Sequence, residues 1–414
     1  MATPSRMPKA EAIRKTASVC IEISTGPSTT LVLAERVNSS VPAIARKNCV
    51  ASRAAPSCGK ARKTSGRVVV AVVMIFPNSI LPRTRNRGLA FSYIGLRAMR
   101  QSVLPFREQC ADMALKFDTS FDPAYGQGVS VAPDVQRVTA RNPSPFTFHG
   151  TNSYVVGRDT LAVIDPGPDD EGHLRTLLDV IAGRPVSHIF VSHTHRDHSP
   201  LAARLKERTG AQVLAEGPHR PARPLHIGET NALDASADTA FIPDIALPDG
   251  ELVSGDGWTI RTVLTPGHTA NHAAFALEGT GILFSADHVM GWATSIVAPP
   301  DGAMADYMAS LDRLIERGDR LLLPGHGGPV TAPRAYMRGL KTHRKMRERA
   351  ILERIRAGDR TIPDMVRAIY RDTDPRLHGA AGLSVLAHLE DLVARGVVAT
   401  NAAPAIDGIF TPGR

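Results

Sequence analysis

The chain has 414 residues, 43% of them hydrophobic, with 49 Lys/Arg against 40 Asp/Glu for a net charge of +9. Its apolar run Val68–Phe76 is nine residues long, too short for a membrane span of about 20, and no apolar stretch follows the first basic residues as a secretory leader would require. The charge is unevenly placed: residues 1–112 hold 18 basic and 5 acidic side chains, 113–333 hold 16 and 26, and 334–414 hold 15 and 9. The basic balance therefore says nothing about nucleic-acid binding by the middle of the chain.

Residues 1–112 are rich in Arg, Lys, Ser, Pro and Ala and contain all four cysteines, Cys20, Cys49, Cys58 and Cys110, without C-x-x-C spacing. Three readings stand: a disordered basic extension, a transit-like peptide, or translated sequence upstream of the true start. The last is the expectation, because composition changes at Met113-Ala114-Leu115. A nucleic-acid arm is the functional alternative. With no cysteine beyond residue 112, the rest of the chain has no disulfide and no thiolate ligand. This suits a reducing compartment, and cytoplasm is the expected location.

About 300 residues remain, enough for one large domain (113–333) and a small one (334–414). Thr160–Asp165 reads as a strand, followed by Pro166-Gly167-Pro168 and a helix near Asp170–Ile181 with acidic residues at its positive end. His188–Ser192 reads as a strand ending in His193-Thr194-His195-Arg196-Asp197-His198. Ser199-Pro200 is expected to cap and start the next helix. Glu216–Gly250 is Pro-rich and weakly periodic, an irregular insertion. Its His219, Arg220, Arg223 and His226 are either solvated or placed to meet an anionic substrate. Trp258–Leu264 alternates as a strand and ends at Pro266-Gly267-His268. Ala273–Leu277 and Gly281–Ser285 form a predicted hairpin through Gly279, the second strand delivering Asp287. Met304, Met308, Leu311, Leu314 and Ile315 have helical core spacing. Leu321–Leu323 is a buried strand feeding His326. A basic helix follows over Arg334–Arg356, then helices over Thr361–Tyr370 and Leu383–Ala394 and a short wing at Gly396–Val398. The third helix carries Glu390 and Asp391 and is not a basic recognition face, which argues against sequence-specific DNA reading.

Seven residues on these strand-to-loop junctions have side chains that bind metals: His193, His195, Asp197, His198, His268, Asp287 and His326. Imidazole and carboxylate suit zinc, with iron or manganese also possible. The set is large enough for two ions sharing one carboxylate and one water. Any single histidine is more often a core or surface residue; seven in strand-loop contexts are not readily explained that way. Asp165 reads equally as a turn cap or as an acceptor for a ligating histidine. His272 and His288 neighbour ligand positions without an assigned role.

The blocks, spaced by 70, 19 and 39 residues from His198 through His268 and Asp287 to His326, resemble those of the metallo-β-lactamase superfamily. The resemblance begins near Val129. Asn142–Tyr154, Met290-Gly291-Trp292, Pro299-Pro300-Asp301-Gly302 and Tyr307-Met308 are similar to its beta-lactamase-like protein 2 subgroup, which carries a C-terminal winged helix. The resemblance implies an α/β, four-layer αβ/βα sandwich with a small winged-helix domain. It also implies a first metal on His193, His195 and His268, a second on Asp197, His198 and His326, and Asp287 between them. Two Zn2+ ions per chain are expected.

The function so implied is a dizinc hydrolase in which a metal-bound hydroxide cleaves a small-molecule thioester or ester, or a phosphodiester in single-stranded RNA. Asp197 would orient the nucleophile. The alternatives are a mononuclear iron persulfide dioxygenase and a non-catalytic winged-helix nucleic-acid-binding regulator. No membrane partner is expected, and the oligomeric state is left open.

Overall fold

The computed structural model describes residues 115–413 apart from 228, 230 and 232–235. The basic segment, its cysteines and the expectations about its nature lie outside the described residues.

One sheet runs in sequence order through β1 (Val129–Ala132), β2 (Val135–Thr139), β3 (Asn152–Val156), β4 (Leu161–Ile164), β5 (Val186–Phe190), β6 (Gln212–Ala215) and β7 (Ile245–Ala246). Its strands are antiparallel up to β4 and parallel from there. The second sheet has the order β12-β11-β10-β9-β8, from β8 (Leu252–Gly255), β9 (Trp258–Leu264), β10 (Ala273–Leu277), β11 (Ile282–Ala286) and β12 (Leu321–Pro324).

The period-two geometry of a strand explains the layering. On β4, Leu161 and Val163 face one core while Ala162 and Ile164 face another. The first core packs against helices α1 (Glu171–Ile181) and α2 (Leu201–Thr209) through Leu174, Leu177, Leu201 and Leu205. The second lies between the sheets, where Tyr154, Phe190, Trp258, Phe275 and Phe284 meet. On β11, Leu283 turns outward to a third core with Tyr307 and Leu311 of α3 (Met304–Arg317) and Met337 and Leu340 of α4 (Pro333–Arg356). The result is the expected αβ/βα sandwich.

Helix α4, 24 residues long, serves two cores. Its second half contributes Ile351 and Ile355 to a fourth cluster with α5 (Ile362–Ile369), α6 (His378–Ala394) and Phe410. The hairpin β13 (Val398–Thr400) and β14 (Phe410–Pro412) forms the wing. Between residues 216 and 250 the described part is irregular except for β7. Among the described residues no helix is long and apolar enough to cross a membrane.

Two local expectations change. Helix α2 starts at Leu201 with no side-chain cap. The Ser199 hydroxyl instead donates to Asp238 at 2.7 Å, a link to the irregular insertion. The third C-terminal helix begins at His378, five residues earlier than its periodicity predicts, because small Gly379, Ala380, Ala381 and Gly382 obscure the apolar pattern.

Candidate metal centre

Strand β5 stops where Asp165 intervenes. The carboxylate at the end of β4 accepts from the Ser192 backbone N–H at 2.7 Å and its hydroxyl at 2.8 Å, which takes Ser192 out of the strand ladder. The chain then turns, and His193–His198 loop over the sheet edge. Asp165 itself has φ +49, a costly conformation for a non-glycine residue, held by these bonds. Asp287 is turned inward in a similar way, following a register break at the end of β11 and Ala286 at φ +43.

All seven expected residues meet in two adjacent groups. Ligand atoms of His193, His195, His268 and Asp287 lie within 4.8 Å of one another, as do those of Asp197, His198 and His326. In the first group, His195 Nδ1 is 2.9 Å from His193 Nε2 and 3.0 Å from His268 Nε2. In the second, Asp197 Oδ2 is 3.3 Å from His198 Nε2 and 3.2 Å from His326 Nε2. Asp287 Oδ2 stands between the groups, 3.6 Å from His268 Nε2 and 3.3 Å from His326 Nε2.

The outward nitrogens of four rings are fixed. His198 Nδ1–H donates to Asp165 at 3.0 Å, His268 Nδ1–H to the Ile296 carbonyl at 2.6 Å and His326 Nδ1–H to the Gly150 carbonyl at 3.1 Å. His193 Nδ1–H donates at 2.9 Å to Ser192 Oγ, whose own proton goes to Asp165. These partners assign the tautomers and aim the lone pairs of the other nitrogens inward. His198 Nε2 and Asp287 Oδ1 are buried without a hydrogen-bond partner. Buried polar atoms are seldom left this way, and converging lone pairs of nitrogen and oxygen with no sulfur are what a divalent ion requires. The residues fit a metal centre. Gly325 confirms how tightly they are set: a Cβ there would lie 2.4 Å from Asp287 Oδ1 and 2.8 Å from His198 Cε1.

Electrostatics divides the two groups. Burial pushes His193 well below the usual histidine range, and its imidazole neighbours add to this. Burial works against the charged forms in the second group and at Asp287 as well, but mutual attraction overrides it. Asp197 and Asp287 are held well below the carboxylate range by His198 and His326. Against burial, the carboxylates raise His198 well above its usual value and His326 to about 10. This attraction for positive charge falls where a divalent ion would place its own.

Several supporting residues escaped the sequence reading. The Thr151 hydroxyl donates to Asp197 Oδ2 at 3.1 Å, and Asn152 ties β3 to the carbonyls of Pro324 and Gly327 on either side of His326. Carbonyl acceptors such as Gly150 and Ile296 leave no side-chain signal at all. Asp165 accepts from the His198 ring, the contact that one of its two readings expects. Arg220 and Arg223 are not free for an anion: Arg220 pairs with Glu216, and Arg223 with Glu229 and with Glu390 of α6. His219 Nδ1 lies 3.1 Å from the Thr194 hydroxyl and its Nε2 3.8 Å from Asp301, and the backbone of His226 exchanges hydrogen bonds with Glu229. His272 donates to or accepts from Thr265 at 2.8 Å, its ring 5.1 Å from that of His193, and His288 packs on Tyr307; both are buried behind the ligands.

The chain is 30% identical over 273 residues to a beta-lactamase-like protein 2 homolog of Drosophila melanogaster, an alignment spanning 63% of this chain and 88% of that one. It belongs to the metallo-beta-lactamase superfamily. The superfamily's model matches residues 146–326, and that of the beta-lactamase associated winged helix domain matches 361–405. An atrochrysone carboxyl ACP thioesterase of Aspergillus novofumigatus is 25% identical over 259 residues, covering 58% of this chain and 72% of its own length. Among solved structures, a beta-lactamase domain protein from Burkholderia ambifaria shares the fold with a TM-score of 0.59 at 22% identity, over 75% of this chain and 99% of that one. A metallo-beta-lactamase family protein from Thermus thermophilus gives 0.57 at 24%, over 68% and 100%. As a metallo-beta-lactamase superfamily hydrolase, the protein is expected to use a divalent metal, and the His/Asp cluster is where one can bind.

Proposed function

We propose that the protein is a dizinc hydrolase acting on a small thioester or ester. The observation that carries this reading is the position of Asp287, one carboxylate oxygen between two groups of ligand atoms. His193, His195 and His268 would hold one ion, Asp197, His198 and His326 the other, and Asp287 both. When bound, such a pair acidifies water and polarises a scissile carbonyl.

The chain's own residues supply the rest. Asp197 has a quarter of its side chain exposed, whereas His198 and His326 are buried, so Asp197 is the ligand open to an attacking water. Thr151 fixes its carboxylate so that one oxygen can receive the water's proton. The buried imidazoles and the strand ends beneath them hold this geometry rigid before substrate arrives. The thioester class is favoured by the thioesterases among the similar proteins.

A second reading, cleavage of single-stranded RNA, is favoured by one surface. Exposed Arg334, Arg338, Lys345, Arg349 and Arg356 follow one flank of α4 without ion-pair partners among the described residues. Such a flank can track a phosphate backbone. The test is metal content by elemental mass spectrometry, with acyl-thioester and single-stranded RNA cleavage assays on the unaltered protein and Asp287→Ala. About two zinc ions per chain and thioester cleavage lost in the variant is the expected result. RNA cleavage lost in the variant selects the second reading. Bound iron with neither activity overturns both.

A further inference from the structure

Arg344 on α4 is 3% exposed, and no carboxylate pairs with it among the described residues. Its guanidinium donates to the Ser295 carbonyl, reaches the Ser384 hydroxyl of α6 at 3.4 Å, and stands 5.0 Å from the centre of the Tyr307 ring. Its Nε is buried with no partner. An unpaired buried cation is costly, and an apolar side chain of the same length would serve packing at least as well. What the cation holds is therefore informative.

Ser295 and Ile296 form the segment that fixes His268. The Ile296 carbonyl accepts from His268 Nδ1, and Ser295 Oγ lies 3.4 Å from the same nitrogen. Tyr307, beneath the guanidinium, lies against the residue before His268: a Cβ on Gly267 would be 2.3 Å from Tyr307 Cα. Arg344 thus touches both segments that set the ring of one ligand. It does so from a helix that continues into the C-terminal domain, with Ser384 of that domain at its other end.

We infer that Arg344 is a positioning residue for the metal site of His193, His195, His268 and Asp287, transmitting the seating of the C-terminal helices to the orientation of His268. The inference rests on these side chains holding a metal. Without the donor, the Ser295–Ile296 segment relaxes and the His268 ring loses its fixed acceptor. The group of Asp197, His198 and His326 keeps its own supports, Thr151, Asp165 and Gly150.

The test uses the full chain as Arg344→Met and Arg344→Lys, each also combined with His268→Ala. Zinc affinity is read by competition with a chromophoric chelator, and the visible spectrum of the Co2+-substituted protein reports ligand geometry. Arg344→Met is expected to weaken one of two zinc equivalents roughly tenfold and to shift the Co2+ bands, leaving the other equivalent unchanged. Arg344→Lys keeps a donor for Ser295 and stays within about threefold of the unaltered chain. In the His268→Ala background Arg344→Met adds no further loss, because its route is already cut. Unchanged affinity in Arg344→Met, equal loss at both sites, or full additivity with His268→Ala overturns the inference. Should Arg344→Met fail to fold by circular dichroism, Arg344→Leu, which also lacks a donor, carries the same comparison. An unaltered chain that binds no zinc removes the ligand reading and this inference with it, a result distinct from normal binding that ignores Arg344.

Discussion

Asp165 Oδ2 lies 3.0 Å from His198 Nδ1, and the same carboxylate holds the Ser192 hydroxyl that receives His193 Nδ1–H. One residue, itself no ligand, thus orients a histidine in each of the two groups. This ties the two groups together through a single carboxylate.

Asp165→Ala removes the acceptor of both the Ser192 hydroxyl and His198 Nδ1. Zinc affinity is expected to fall by roughly 10–100-fold, and at both sites. Isothermal titration on the variant checks this. A loss confined to one equivalent would show that Asp165 supports only one ring.

Gly325→Ala tests the tight approach of β12 to the ligands. Its Cβ would meet Asp287 Oδ1, itself a buried oxygen, at 2.4 Å. A displacement of this size is expected to lower kcat/KM by about 100-fold. Steady-state hydrolysis is the measurement, and a rate within twofold of the unaltered chain would contradict the crowding argument.

Two histidines away from the centre set an acid limit on stability. Burial holds His173 at about 4, partly offset by Asp170, and burial with Arg344 and His343 holds His388 at about 3. In the unfolded chain both return to about 6.5. Between these values the unfolded state binds more protons, so stability is full above about pH 6.5 and declines as pH falls toward 4 and 3. His173→Gln retains a hydrogen-bonding partner for Ser153 without a titrating group. Urea unfolding at pH 7.5 and 5 should show the unaltered chain losing about 2 kcal/mol more than this variant. Equal losses would mean that His173 is not held neutral by the fold.

Arg223 joins the irregular insertion to α6 through Glu390 at less than 3 Å, with Glu229 completing the cluster. The insertion runs beside the metal loop, where Arg196 N–H donates to Ser236 and Asp238 N–H to Thr194. Glu390→Gln weakens a half-buried ion pair and should free this segment. KM is expected to rise severalfold with zinc content intact. Faster cleavage of the insertion by trypsin, with unchanged hydrolysis kinetics, would show a stabilising tie with no bearing on substrate.

The residue sequence determined the chemistry of this protein. Histidine and aspartate side chains at strand ends are set by local periodicity: an apolar run such as Ile189-Phe190-Val191 must be buried, so the polar residues that follow it emerge at a sheet edge. The same logic made β9 before His268, β11 before Asp287 and β12 before His326 legible, along with the helices that cover them. Superfamily resemblance extended this to the order of the layers.

Only tertiary structure decided what holds the ligands in place. The acceptors for His268 and His326 are main-chain carbonyls, which every residue has, so Ile296 and Gly150 carry no distinguishing side chain. Arg344 follows His268 by 76 positions and Asp197 lies 46 from Thr151, separations at which no periodicity relates one residue to another. Ser199 reads locally as a helix cap, yet its hydroxyl serves Asp238 of the insertion, because a contact across the fold competes directly with the local one. Side-chain type and spacing are local properties of the chain; the partner of a buried hydrogen bond is chosen by whichever distant atom the packed core brings within 3 Å.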